Sequence, residues 1–234
     1  MGFSIDTNVI IGVVNNKDRL HDISLNLMRD KQNEKLIICK TALKEAQTVF
    51  KHKINEIMVE IIQFLPKFFQ NKKMNLLESQ IYLIEVFKAL RDQKPGLTNF
   101  LNLVYHDVST FLQEGHGIEE IPLFLSQLAL QYSNLAIPKL ESAHPIEASI
   151  SLNLKTLSGV KSSTKDIYFK DTYDERIFQE LMTNLAEIMP IEFFSDDMEF
   201  KEKSEIGYAK ITNDLGFDKQ AFSFNSLERY NTKP

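Results

Sequence analysis

An α/β fold interrupted by a long all-helical block is predicted by three observations. Residues 1–53 alternate short apolar runs with segments of helical period. Residues 54–142 carry helical periodicity without strand-like alternation, and the alternation of strand and helix returns beyond residue 170. Two short apolar runs, one near each end of the chain, also finish on acids: Phe3-Ser4-Ile5-Asp6 and Ile191-Glu192-Phe193-Phe194-Ser195-Asp196-Asp197. A strand that carries an acid at its carboxyl end points it into the crevice where open α/β sheets bind ligands.

Taken in order, residues 3–5 read as a strand and residues 9–14 as the start of a helix. Residues 21–31 continue helical, with Ile23, Leu27 and Met28 on one face. Residues 35–39 form a second buried strand, and Thr41 is placed to cap a helix over 42–53. Four helices follow, over 54–69, 74–92, 97–113 and 119–136. The second carries an apolar stripe of Leu76, Leu77, Leu83, Ile84, Phe87 and Leu90. Lys94-Pro95-Gly96 and Gly115-His116-Gly117 separate neighbouring helices, and Pro122 suits a first helical turn. No fixed period recurs, so the block is an insertion and not a repeat array.

Residues 142–170 are less regular: 149–154 is compatible with a strand, and 159–165 reads as a loop. A helix over 173–189, a strand over 191–194 and a helix over 198–212 follow, and 221–224 alternates weakly as an edge strand. The organisation expected is a discontinuous α/β domain of residues 1–53 and 143–234 around a helical insertion of residues 54–142.

Composition narrows the function. The 234 residues are 43% apolar and 25% charged, with a net charge of −5, so nothing attracts the chain to nucleic acid in general. A polyanion would need a local basic patch or bound cations. The single cysteine, Cys39, lies in the apolar run 36–39 and excludes an internal disulfide and a cysteine-based metal site. No stretch approaches about 18 consecutive apolar residues, which excludes a membrane-spanning helix. The N-terminus has no positive leader, and Asp6 and Asn8 interrupt any signal core. A soluble cytoplasmic protein is expected. The histidines have no metal-ligand spacing, and no G-x-S-x-G, P-loop or G-x-G-x-x-G occurs.

Four acids stand out. Asp6 and Asp197 end apolar runs, and Glu45 flanks an apolar face of Ala42, Leu43, Ala46, Val49 and Phe50. Asp174 lies in line with its helix's apolar stripe of Ile177, Phe178, Leu181, Met182, Leu185 and Ile188. Asp171 and Glu175 fall about 60° and 100° off that line. A core-facing acid needs a partner, since an isolated buried carboxylate is expensive. Carboxylates gathered at one place repel one another unless a cation or a proton intervenes, which makes a divalent metal site the leading expectation. Each acid also has a purely structural reading. Asp6, Asp174 and Asp197 are each placed to cap or favour a helix start, and Glu45 suits a solvated helix face.

These residues resemble the PIN-domain nucleases. The resemblance is carried by Asp6-Thr7-Asn8-Val9-Ile10-Ile11, Thr41-Ala42-Leu43-Lys44-Glu45-Ala46, Asp174-Glu175-Arg176-Ile177-Phe178 and Phe194-Ser195-Asp196-Asp197-Met198-Glu199-Phe200. It covers roughly residues 1–50 and 166–215, and the helical block lies outside the family pattern. In that family an acid after the first strand, an acid on a following helix and two later acids surround Mg²⁺ or Mn²⁺. Asp6, Glu45, Asp174 and Asp197 occupy the matching places. Asn8 and Ser195 match the supporting Asn and Thr or Ser, and the spacing of the last motif selects Asp197 over Asp196.

The resemblance implies a three-layer α/β/α domain with a central, mostly parallel sheet. It also implies a metal-dependent endoribonuclease hydrolysing phosphodiesters in single-stranded or structured RNA. Asp6 and Asp197 would be direct ligands, with Glu45 and Asp174 completing the set; whether Asp171 or Glu175 replaces Asp174 stays open. Lys40, Lys44, Lys51 and Lys53, and the group Lys155, Lys161, Lys165 and Lys170, are the candidate phosphate contacts. An antitoxin-like protein or a second copy of the chain is a further candidate partner. Two other functions compete. One is a catalytically silent PIN-like binding module. The other is a haloacid-dehalogenase-type phosphatase, which wants a second acid where Asn8 stands.

Overall fold

The computed structural model describes residues 1–64, 75–216 and 222–230. The chain divides into two compact units. The first comprises Met1–Val14, Leu20–Ala46 and Ala136–Pro234, and the second Asn15–Arg19 and Gln47–Leu135.

The first unit is built on a five-stranded sheet in which every pairing is parallel. Its strands are β1 (Gly2–Ile5), β2 (Lys35–Cys39), β3 (Ile146–Ile150), β4 (Ile191–Ser195) and β5 (Phe222–Ser226), in the order β3-β2-β1-β4-β5. Parallel strands must be joined by crossovers, here helices, which lie on the faces of the sheet. Burial follows that rule: all of β1, four of five residues of β2 and four of five of β4 are buried, whereas β3 and β5 at the edges are partly exposed. The architecture is mixed α/β and consistent with three α/β/α layers. The edge strand expected over 221–224 is β5, and Ala221 lies outside the described residues.

The helices of this unit are α1 (Thr7–Val14), α2 (His21–Asp30), α7 (Leu154–Ser163), α8 (Thr172–Thr183), α9 (Leu185–Ile188) and α10 (Met198–Leu215). The start of α3 (Lys40–Phe64) and the end of α6 (Ile121–Ala143) also belong to it. From β1 the chain proceeds to β2 and β3 on one side, while β4 and β5 lie on the other. The direction of winding therefore reverses between β1 and β4. In such sheets the crevice at the carboxyl ends of those two strands is the place for a ligand.

The second unit contains the rest of α3 and α6 together with α4 (Leu76–Gln93) and α5 (Thr98–Gln113). Short 3₁₀ turns at Pro95–Leu97 and Ile118–Glu120 precede α5 and α6. Its core includes Phe50, whose ring stacks on Tyr132 at 5.8 Å and meets Phe100 edge-on at 5.6 Å. Among the described residues no helix is long and apolar enough to cross a membrane.

Several expectations are corrected. Helices over 42–53 and 54–69 are one helix, α3, because Phe50, Ile54, Ile57 and Ile61 continue its buried face with no breaker between; positions beyond Phe64 in that range lie outside the described residues. Thr41 is inside α3 and does not cap it. Its N–H and hydroxyl both donate to Glu180. The stripe assigned to α4 is only half buried: Leu83, Phe87 and Leu90 are buried, with Ser79 and Val86 beside them, while Leu76, Leu77 and Ile84 are exposed. Met74, the expected start of that helix, lies outside the described residues.

Residues 159–165 are largely helical and not a loop, because Asn153 caps α7 by accepting from the N–H of Lys155. The strand read at 149–154 lies earlier, as β3. The helix over 173–189 is broken at Asn184, whose side-chain amide donates to the carbonyls of Glu180 and Ser151 and diverts the chain. The last insertion helix runs past residue 136 to Ala143 and carries Pro138 inside it.

Helix α10 approaches α8 closely because position 207 lacks a side chain. A Cβ at Gly207 would stand 2.5 Å from Cζ of Phe178, a buried ring. Gly207→Ala is therefore expected to cost about 1–3 kcal/mol by chemical denaturation despite its better helix propensity. Gly96→Ala, where a Cβ meets nothing within 4 Å, serves as the neutral control. Equal stability of Gly207→Ala and parent would show that the α8–α10 spacing is not set by this contact.

Candidate functional site

The site is generated by the pairing of β1 with β4. Ile5 lies opposite Phe194, and the N–H of Asp6 continues the ladder to the Phe194 carbonyl at 2.9 Å. Asp6 thus leaves β1 beside Ser195, the last residue of β4. Ser195 Oγ donates to Asp6 Oδ2 at 2.5 Å and accepts the N–H of Asp197 at 2.9 Å. One hydroxyl therefore bonds both the Asp6 carboxylate and the backbone N–H of Asp197. Asp6 Oδ1 also accepts the N–H of Thr7 at 2.7 Å, and the Asp6 carbonyl takes the N–H groups of Val9 and Ile10 at the start of α1.

The two expected supporting residues, Asn8 and Ser195, lie beside each other. Asn8 Nδ2 reaches Ser195 Oγ at 3.5 Å, and Asn8 Oδ1 accepts the N–H of Asp196 at 3.4 Å. Asp197 also serves its local role as N-cap of α10, where its Oδ1 accepts the N–H of Phe200 at 3.0 Å. Among the described residues its second oxygen accepts no hydrogen bond, and that leaves it available to a ligand.

Glu45 is brought in through Thr7, a residue the motif comparison does not single out. Thr7 Oγ1 donates to Glu45 Oε2 at 2.5 Å and lies 3.3 Å from the carbonyl of Ala42. Ala42 and Ala46 are fully buried, while Leu43 is half-buried, so Glu45 stands at the edge of the inner face of α3. Asp174 lies half-buried in the first turn of α8, above the buried stripe of Ile177, Phe178, Leu181 and Met182. It does not cap its helix. That role belongs to Asp171, whose Oδ1 accepts the N–H groups of Tyr173 and Asp174 at 2.8 and 2.9 Å. Glu175 is exposed and accepts from Gln179.

The charges of these residues act on one another. Burial raises the Asp6 carboxyl to about 6; the Ser195 and Thr7 hydrogen bonds oppose this, and the charges of Asp197 and Asp171 add to it. Burial raises Glu45 to about 7 against the Thr7 hydrogen bond, with further upward pressure from Asp6 and Asp171. Asp174 is also raised to about 7, first by burial and then by Asp171, Asp6, Asp197 and Glu45. Asp171 thus belongs to the electrostatic set beside the four expected acids. Among the described residues, none of these five acids forms an ion pair.

An all-oxygen, mutually repelling donor set suits a hard divalent cation such as Mg²⁺ or Mn²⁺. Convergence is less complete than the chemistry: among the described residues no group of three His, Cys, Asp or Glu is placed to hold a metal ion. The donor set fits the cation in chemical type and shared field, and it does not form a closed cage. Of the expected phosphate contacts, Lys40, Lys44, Lys155, Lys161, Lys165 and Lys170 are exposed in the first unit; Lys51 and Lys53 belong to the second, where Lys53 pairs with Glu56.

Glu180 was missed by sequence reasoning. It is 2% exposed and accepts both donors of Thr41. Its position three residues after Ile177 and one before Leu181, within an apolar stripe, was the available signal. No protein-family model, curated protein or solved structure matches the chain.

The raised carboxyls carry a pH signature. Asp6, Glu45 and Asp174 bind protons more tightly in the folded chain than in the unfolded one, so their protonation stabilises the fold. That contribution is complete below about pH 4 and is lost as the pH rises to about 7. Asp6→Asn, which cannot ionise, should gain on the cation-free parent across this window, by on the order of 1–3 kcal/mol at neutral pH. Chemical denaturation at a series of pH values measures it, and a variant-minus-parent difference independent of pH would show that the fold does not raise the Asp6 carboxyl.

Proposed function

We propose that this chain is a divalent-cation-dependent ribonuclease of the PIN-domain type, hydrolysing RNA phosphodiester bonds at the carboxyl edge of its sheet. The observation that carries the reading is the hydrogen-bonded link Asp6–Ser195–Asp197 at the winding reversal between β1 and β4. It joins the first and last motifs of the resemblance, with Asn8 and Ser195 in supporting places.

Asp6, Glu45, Asp174 and Asp197 would hold Mg²⁺ or Mn²⁺, and Asp171 adds its charge to theirs. The bound cation supplies a Lewis acid for a phosphate oxygen and a water of lowered pKa. The protein's own groups prepare the site. Ser195 and the Thr7 N–H orient the two oxygens of Asp6, and the Thr7 hydroxyl fixes Glu45. Without a cation Glu45 and Asp174 are both raised to about 7, so a proton competes with the cation for them near neutral pH. Exposed Lys40 and Lys44 at the start of α3 offer positive charge to an RNA backbone.

A second reading, a PIN-like module that binds without cleaving, is favoured by the lack of three metal-ready ligands among the described residues. The phosphatase alternative is disfavoured because Asn8, at the position where that chemistry wants an acid, is engaged with Ser195 and Asp196.

Labelled RNA incubated with Mn²⁺ or Mg²⁺ separates these readings. Cleavage is expected in the parent, lost on chelation, and reduced at least about 100-fold in Asp6→Asn. Ser195→Ala should fall about 10–100-fold by releasing Asp6. No turnover by the parent across varied RNAs, or equal rates in parent and Asp6→Asn, would favour the binding module.

A further inference from the structure

The buried carboxylate of Glu180 has no place among the proposed cation ligands, yet it joins the two helices that bear half of them. Its Oε2 accepts the N–H of Thr41 at 3.0 Å, and its Oε1 accepts the Thr41 hydroxyl at 2.8 Å. Thr41 is the second residue of α3, so its N–H is one of the donors that a helix start leaves without an intrahelical partner. A negative group there is also favoured by the helix dipole. Glu180 thus performs for α3 the task of a capping residue, but from another helix. Glu180 is 2% and Thr41 7% exposed, so water does not readily replace either partner.

The rest of α8 around Glu180 is equally tied down. The Glu180 carbonyl accepts from Asn184 Nδ2 at 2.7 Å, and the Ile177 carbonyl meets Cys39 Sγ, at the end of β2, at 3.9 Å. Thr183 Oγ1 accepts the N–H of Asn153, and the Thr183 carbonyl accepts from Thr156. Glu45 stands four residues beyond Thr41, about 6 Å along α3, and Asp174 six residues before Glu180, about 9 Å along α8. The two acids therefore project from helices fastened to each other at one buried point.

We propose that Glu180 and Thr41 form a positioning pair that sets the separation of Glu45 and Asp174, and through it the affinity of the site for its divalent cation. The proposal rests on the cation site of the ribonuclease reading. Neither residue touches the cation; both act by holding the helices that carry its ligands. Loss of the clamp frees the first turn of α3 to shift against α8, and the repulsion between the acids favours the wider spacing.

Manganese binding to the full-length chain, followed by the electron paramagnetic resonance of free Mn²⁺, tests this without reference to turnover. Thr41→Val keeps the N–H but leaves Glu180 Oε1 without a donor, and Glu180→Gln has only one oxygen to offer. Each should weaken Mn²⁺ binding about tenfold. Thr41→Ser retains both donors and should bind as the parent does. Ile177→Val loosens the core of the same helix without touching the clamp, and should lower stability while leaving affinity unchanged. If Glu180→Gln does not fold, the Thr41→Val and Thr41→Ser pair decides the matter. Parent-like affinity in Thr41→Val, with binding still abolished by Asp6→Asn, overturns the clamp alone. Absence of binding by the parent, or binding that survives Asp6→Asn, overturns the cation site and the clamp with it.

Discussion

The register of β1 against β4 is the constraint on which the carboxyl edge of this protein depends. Ile5 faces Phe194, so both strands release the chain at the same level, and Asp6 emerges beside Ser195. A slip of one residue would turn every side chain of β1 to the opposite face and separate the two acids. The register is held by apolar burial: Phe3, Ile5, Phe193 and Phe194 are each fully buried, and Phe3 meets Phe194 edge-on. The core thus specifies the site, although no core residue takes part in its chemistry.

The two ends of the sheet treat charge differently. At the amino end of β4, Glu192 is paired with Lys31, which also bonds Glu34 at 2.7 Å and lies 5.5 Å from the centre of the Phe194 ring. At the carboxyl end no lysine or arginine pairs with Asp6, Glu45, Asp171, Asp174 or Asp197 among the described residues. Hydroxyl and amide donors from Ser195, Thr7 and Tyr173 orient some of these carboxylates but do not cancel their charge. A fold able to pair an acid at one edge leaves several unpaired at the other, and perturbed carboxyls of this kind concentrate where a protein acts on a ligand.

The sheet strands were legible in the sequence wherever burial on both faces wrote itself as a continuous apolar run, as in residues 3–5, 35–39 and 191–194. Edge strand β3 was harder to place because its exposed middle residues, Glu147, Ala148 and Ser149, carry no such run. The second half of α7, within residues 159–165, reads as a loop in sequence because its Ser, Thr, Lys and Gly imitate one; the cap at Asn153 is the cue that outweighs composition. For the site, the acids at strand ends were visible because strand termini are. Asp171 was visible only as an alternative to Asp174, and the contributions of Thr7 and Glu180 were not visible, since each depends on which helices lie side by side, a long-range fact that local spacing does not encode.

Held together, these features describe a division of labour. Asp6, Glu45 and Asp174 oppose folding when charged, since each is more costly in that form in the fold than in water. The opposing tethers lie just outside them: Ser195 on Asp6, Thr7 on Glu45, and the Thr41–Glu180 bonds between α3 and α8. All of them lie within the first unit. Because none of the tethers supplies a positive charge, they fix the position of the carboxylates without relieving their repulsion. Asp6, Glu45 and Asp174 therefore carry a cost of burial and mutual repulsion while charged; a proton relieves it, and on the proposed reading a divalent cation would do the same.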